Sequence, residues 1–213
     1  MIRSIRNALG AALVVATTMT GTAWATTLSP MSVEQFTDAS SYIVRGQVIG
    51  ASWTTLDDAG RVFTHTTVRV DELLKGKESA DEVVVTTSGG SYGAIKQYVP
   101  AEATFSDGEK VFLFLHQATS GRLYPISKFQ GKLTERRAPG ERRHYGVRWH
   151  NDEVTTFDHR FLPHPIASER VYIDELVGQV QNRLDKGWDG KAIPGMTNVE
   201  LERVNTQDWR SPR

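Results

Sequence analysis

The sequence predicts a mainly β protein: a small five-stranded barrel with a peripheral hairpin and a C-terminal amphipathic helix. Three observations lead there. Five short segments carry strand patterning and are separated by glycine-rich turns, the arrangement of small closed barrels. Residues 60–76, GRVFTHTTVRVDELLKG, form the longest uninterrupted strand signal. Residues 168–185, SERVYIDELVGQVQNRLD, instead place Val171, Leu176, Val177, Val180 and Leu184 at helical spacing, with Ile173 near the same stripe.

The chain opens on an export signal, residues 1–25: Arg3 and Arg6 form a basic start, residues 8–16 an apolar core, and Ala23-Trp24-Ala25 a small-x-small cleavage site. That apolar run is too short to span a bilayer, which needs about 20 residues, and no second hydrophobic span follows. Once the signal is removed, a soluble periplasmic or secreted protein sized for one domain with an appendage is expected. The signal carries two arginines and no acid, so a neutral precursor leaves a mature chain of charge −2, and no global field invites nucleic acid. With no cysteine there is no disulfide, thiolate nucleophile or zinc–thiolate site, and the core alone must hold the fold.

Residues 26–133 are assigned to the barrel. Within them, 32–40 (SVEQFTDAS) reads as a short capped helix, Ser32 standing three residues before Gln35. In 42–53, YIVRGQVIGASW, Val44, Gly46 and Val48 share a face, and Gly46 and Gly50 mark a sharp bend or a close backbone approach. This segment should form a hairpin with 60–76, in which Val62, Thr64, Thr66, Val68 and Val70 lie on one face and His65, Thr67, Arg69 and Asp71 on a wet one that Phe63 interrupts. Residues 82–87 are a third strand, whose run Val83-Val84-Val85 predicts cover on both faces. The most hydrophobic strand is 110–116, KVFLFLH, predicted to be central and covered on both faces. Residues 123–126 and 129–133 make the fifth, Pro125 marking an edge or bulge.

Composition then shifts. Residues 134–167 begin with a charged excursion, TERRAPGERR, followed by a peripheral hairpin of 144–150 and 153–158 around Asn151-Asp152, after which Pro163 and Pro165 stop any strand. Residues 168–187 are the packing helix, ended by Gly187, and 188–213 read as a polar, partly disordered tail.

The motifs VRGQVIGASW, TTVRVDELLKG, the SGG loop, FSDGEKVFLFL and FQGKL stand in the order found in a group of uncharacterised exported bacterial proteins, which this chain resembles over about 36–133 plus the closing helix. The resemblance implies an OB-like Greek-key barrel, similar to the netrin and metalloproteinase-inhibitor domains. The inhibitors' edge is an N-terminal cysteine that chelates a catalytic zinc. Here cleavage would leave Thr26 first, with no cysteine anywhere.

Residues 88–107, with three glycines and a proline, are too long for an idle connection and form the first candidate functional surface. Tyr92 and Tyr98, with Lys96 between them, are its ligand-binding candidates, because exposed rings give contact area at low entropic cost. Trp53 and Trp149 could extend such a platform. Within the loop, Gly89-Gly90-Ser91-Tyr92-Gly93 fits the G-x-S-x-G nucleophile elbow after a strand. An elbow needs a helix next, however, and only six residues precede Pro100, so a flexible glycine turn competes with a catalytic Ser91. Gly93 is not followed by Gly-Lys-Ser/Thr, so there is no phosphate loop.

The second cluster is His144, His150, His159 and His164 with Asp152, Glu153 and Asp158, donors that zinc or copper prefers. None is spaced as HExxH or a comparable motif, and solvated hairpin residues are the competing reading. No cofactor is expected. The leading expectation is a non-enzymatic exported module that binds a protein or glycan, in the manner of a protease inhibitor for one. The rivals are an exported hydrolase using Ser91, a metal site among residues 144–164, and a purely structural envelope component.

Overall fold

The computed structural model describes residues 28–77, 81–148, 156–157, 163–164, 170–193 and 195–206. Its centre is a closed barrel of five strands: β1 (Tyr42–Val48), β3 (Val62–Lys75), β4 (Glu82–Ser88), β8 (Leu123–Pro125) and β7 (Lys110–Gln117). Neighbours around the ring are β1–β3–β4–β8–β7 and back to β1, antiparallel except at β4–β8, where Val85 pairs with Leu123. This is the order of an OB-like barrel, the fold that the resemblance implies.

The barrel interior is lined by small aliphatic side chains, Val44 and Val48 of β1, Val68 of β3, Val83 and Val85 of β4, and Val111, Leu113 and Leu115 of β7. Gly46 belongs on this inward face with a reason. A Cβ there would lie 2.1 Å from the carbonyl oxygen of Arg69, where the β1–β3 register shifts. The chain turns at Gly50, so the expected single strand over 42–53 is two: β1, and β2 (Trp53–Leu56), which folds back on β3.

β7 is apolar on both faces because both are covered. Its outward Phe112 and Phe114 pack with Phe36, Leu133, Leu176, Val180 and Leu201 in a second core, between the barrel and a layer of helices. That layer holds α1 (Val33–Ala39), α2 (Ile173–Lys186) and α3 (Asn198–Thr206). Ser32 caps α1 in a capping box with Gln35, as its spacing predicted. The amphipathic helix also stands where expected, with Ile173, Leu176 and Val180 buried. Val171 precedes it in β13 (Arg170–Tyr172), so α2 starts later than the spacing indicated.

Several expectations are corrected. Val84 is 41% exposed between buried Val83 and Val85, so the outer face of β4 is open at Val84 despite its apolar run, although Thr86 on that face is buried. The fifth strand is broken: β8 and β9 (Lys132–Arg137) both run along β7, separated by a 3-10 turn over Lys128–Gly131 that takes Phe129 out of the strand. The charged excursion therefore starts later than 134, because Thr134 and Glu135 are buried in β9. β10 (His144–Val147) pairs with β9 and β13 rather than with Thr156–Phe157, the described part of the expected partner, extending the sheet beyond the barrel. Thr156–Phe157 (β11) pairs with Pro163–His164 (β12), so Pro163 sits in a short strand instead of stopping one. Asn151 and Asp152 lie outside the described residues.

The tail is the largest correction. Over 195–206 it is not disordered but carries α3, opened by a capping box in which Thr197 Oγ1 accepts from the Glu200 N–H and the Glu200 carboxylate accepts from the Thr197 N–H. Ile193, Leu201 and Val204 are buried. Residues 207–213 lie outside the described residues.

α3 also completes a buried polar junction. Lys75, at the end of β3, is 2% exposed and donates from Nζ to the Thr37 carbonyl (2.9 Å) and Asn205 Oδ1 (3.1 Å). Arg183 of α2 grips the Asp38 carboxylate at 2.6 Å, and Asn205 donates to the Asp38 carbonyl. Burial lowers the Lys75 pKa to about 8, against the opposing pull of Asp38. An amine whose folded pKa lies below its ordinary 10.5 destabilises the fold while charged. That penalty is full below about pH 8 and is relieved as pH rises toward 10.5. Unfolding free energy should therefore gain about 3 kcal/mol across that interval from this group alone. Urea unfolding at stepped pH should show the gain in the wild type and not in Lys75→Met; parallel curves would contradict it.

Candidate functional site

One end of the barrel is open. Its mouth is a groove of about 610 Å³ walled by the inward threonines Thr64 and Thr66 of β3 and Thr87 of β4, by the 88–105 segment, and by Lys132 and Thr134 of β9. The Val-rich packing of the barrel gives way here to hydroxyls because the inward positions of β3 and β4 change from valine to threonine along the strands.

The 88–107 segment is not a featureless loop. It contains a small hairpin, β5 (Gly90–Tyr92) and β6 (Ile95–Gln97), laid over the mouth and pinned at several points. Gln97 Oε1 accepts from the Val62 N–H (2.7 Å), Thr64 Oγ1 donates to the Gly89 carbonyl (2.7 Å), and Thr54 Oγ1 donates to the Ser91 carbonyl (2.8 Å). Gly90 is required by both space and conformation. Its φ is +127°, and a Cβ would lie 2.4 Å from Thr64 Oγ1.

This hairpin sorts the expected ligand residues. Ser91 and Lys96 are cross-strand partners, and both line the mouth with Tyr98, which is 64% exposed. Tyr92 is exposed but pairs with Ile95, one position out of phase, and does not line the groove. Ser91 lies in a strand–turn–strand, not the strand–turn–helix of a nucleophile elbow, so that reading of it is corrected. The three histidines whose side chains are described are engaged elsewhere: His65 with Thr55 and Thr86, His144 with Glu135, and His116 in a separate cleft.

Sequence reasoning missed Glu102. Its carboxyl lines the mouth, and burial raises its pKa against the lowering effects of Lys128 and of the Ser88 and Ala103 N–H groups that it accepts from. Three non-glycine residues with left-handed backbones meet beside it, Ala101 (φ 62°), Ser127 (φ 50°) and Lys128 (φ 59°). They are held by Lys128 Nζ on the Pro100 carbonyl (2.9 Å) and by the Phe129 N–H on the Ala101 carbonyl (3.1 Å). Such conformations cost about 1–3 kcal/mol each and cluster where geometry serves binding. On the opposite wall Lys132 lies over the Phe105 ring and is held by Glu109 at 2.7 Å, so its charge is compensated.

His65, which period-two alternation places on the wet face of β3, is buried. β2 covers it: Trp53 stacks on its ring at 5.3 Å, and Thr55 and Thr86 hydroxyls take its two nitrogens. Burial, reinforced by Arg122, lowers its pKa.

The expected histidine cluster is only partly visible. His144 Nδ1 bonds Glu135, whose carboxylate is also gripped by Arg45 through two bonds of 2.8 Å, so this imidazole is tied to an ion pair. His150, His159 and Trp149 lie outside the described residues, and for His164 only the backbone of β12 is described. Among the described residues, no group of three His, Asp or Glu side chains could hold a metal ion, and no helix is long and apolar enough to cross a membrane. No family model matches this chain, and no curated protein matches it either.

Proposed function

We propose that the chain is an exported binding module, acting in the periplasm or outside the cell, that takes a segment of a glycan or protein into the mouth of its barrel. The observation that carries this reading is the mouth itself, a hydroxyl-lined groove at an open barrel end with Tyr98 and Lys96 standing exposed on its rim. OB-like barrels bind along the face of their second and third strands and the adjoining loops. Here those strands are β3 and β4, which supply Thr64, Thr66 and Thr87.

A glycan fits the lining best, since neutral hydroxyls and a carboxylate fixed by backbone N–H groups can exchange hydrogen bonds with sugar hydroxyls while the exposed Tyr98 ring takes a pyranose face. A protein ligand is favoured by a different observation: Trp53, Leu56, Tyr92 and Ile95 are all exposed on β2 and the β5–β6 hairpin beside the mouth. The kinship with netrin-type and inhibitor-type barrels belongs to this proposal, and the protease-inhibitor reading is its protein-ligand form.

Affinity recovery from an exported-protein fraction and a glycan array tests the proposal. Tyr98→Ala and Lys96→Ala should each weaken capture of the recovered ligand about tenfold, while the melting temperature stays within a few degrees because both side chains are exposed. Capture that survives both substitutions together would move the site away from the mouth. Labelling of Ser91 by a fluorophosphonate probe would favour the hydrolase instead.

A further inference from the structure

At the opposite end of β7 lies a second cleft, of about 430 Å³, between the 28–31 segment, the turn after β8 and the start of α3. His116 lines it, across the strand pair from Tyr124, and its Nδ1 is buried with no hydrogen-bond partner among the described residues. A buried ring nitrogen in that position asks for an explanation, and binding of a ligand is one.

The methionines supply the rest of the argument. The chain has four, of which Met1 and Met19 fall in the expected export signal. The other two, Met31 just before α1 and Met196 just before α3, are far apart in sequence, yet both line this cleft with His116. Thioether sulfurs are uncharged, polarisable and poor partners for hard divalent cations. Two of them lining one cleft with an imidazole make a soft donor set of the kind that selects monovalent copper.

The surroundings agree. Leu28 and Ile126 make the wall largely apolar, where a single positive charge is far cheaper to desolvate than a double one. The Glu200 carboxylate stands on the same wall. An exported chain without cysteine must find soft ligands elsewhere, and thioethers do not pair into disulfides where thiols would.

We propose that Met31, Met196 and His116 form a Cu(I) site in this cleft. Methionine also fills core gaps with no metal in view, and the experiment separates the two roles. The probe is Cu(I) itself, titrated anaerobically into the signal-free protein against bicinchoninate. One equivalent per chain should be withdrawn from the chelator, and copper-edge absorption should show two sulfur neighbours and nitrogen. The volume-conserving Met31→Leu and Met196→Leu, and His116→Gln, should each weaken the competition at least tenfold.

A second measurement does not depend on variants folding. With methyl-labelled methionine, titration of the wild type with Ag(I) as a spectroscopically quiet substitute should move the signals of both Met31 and Met196 together. Failure to withdraw copper from the chelator, or methionine methyl signals that stay still, overturns the proposal. So does undiminished binding in a folded Met31→Leu/Met196→Leu variant, which would place copper on the histidines of 144–164 instead.

Discussion

Leu176→Asp is expected to abolish cooperative folding. Leu176 is fully buried in the second core, against the outer face of β7. Removing a core leucine side chain alone costs about 2–5 kcal/mol. Placing a carboxylate in the space adds the cost of desolvating a charge or of holding it protonated. Set against a typical net stability of about 5–15 kcal/mol, the sum leaves little or no folded protein. Circular dichroism should show a broad or absent thermal transition, whereas Gln181→Asp, on the exposed face of the same helix, should shift the midpoint by no more than a degree or two. Deletion of everything from 168 onward should give an aggregating or molten product for the same reason. A Leu176→Asp protein that melts cooperatively near the wild-type temperature would mean that the helix layer docks without stabilising the barrel.

Truncation after Trp188 is expected to be nearly as damaging, the reverse of what the polar composition of the tail implies. It removes the buried Ile193, Leu201 and Val204. At about 1.5–3 kcal/mol for each aliphatic side chain, their loss amounts to roughly 5–9 kcal/mol. The cut also takes Asn205 from Lys75 and Asp189 from Arg183, leaving a buried amine with one acceptor fewer. In a protein of this size about 1 kcal/mol corresponds to 2–4 °C in melting temperature. Calorimetry should therefore show a fall of more than about 10 °C. A truncated chain melting within about 2 °C of the intact one would show that α3 contributes nothing to stability.

The mouth was legible in part. Residues 88–107 stood out by length and glycine content, and Tyr98 and Lys96 prove to line the groove there. Tyr92 could not be separated from Tyr98 by sequence, because which of them faces the groove depends on the two-residue phase of a hairpin that the glycine-rich loop concealed. Glu102 carried no motif. Its place follows from the Lys128 and Phe129 contacts that fix the backbone on either side. α3 did have a signal, the Thr197-x-x-Glu200 capping box followed by Leu201 and Val204, but two buried positions make too weak a period to stand out from a charged background.

By itself the sequence determined the strand-rich class, the five barrel strands and the capped entry to α1. It also determined the inward valines of β1 and the amphipathic character of α2. These rest on local periodicity and local caps, which a chain carries wherever it folds. Only the tertiary structure decided that β10 pairs with β9 and β13, that His65 is buried beneath Trp53, and that Lys75 meets Asn205 from the far end of the chain. It alone brought Met31, Met196 and His116 to one cleft. Each of these depends on which surfaces meet when the barrel closes and the helices dock. That choice is made by packing between segments distant in sequence, and no short window of residues records it.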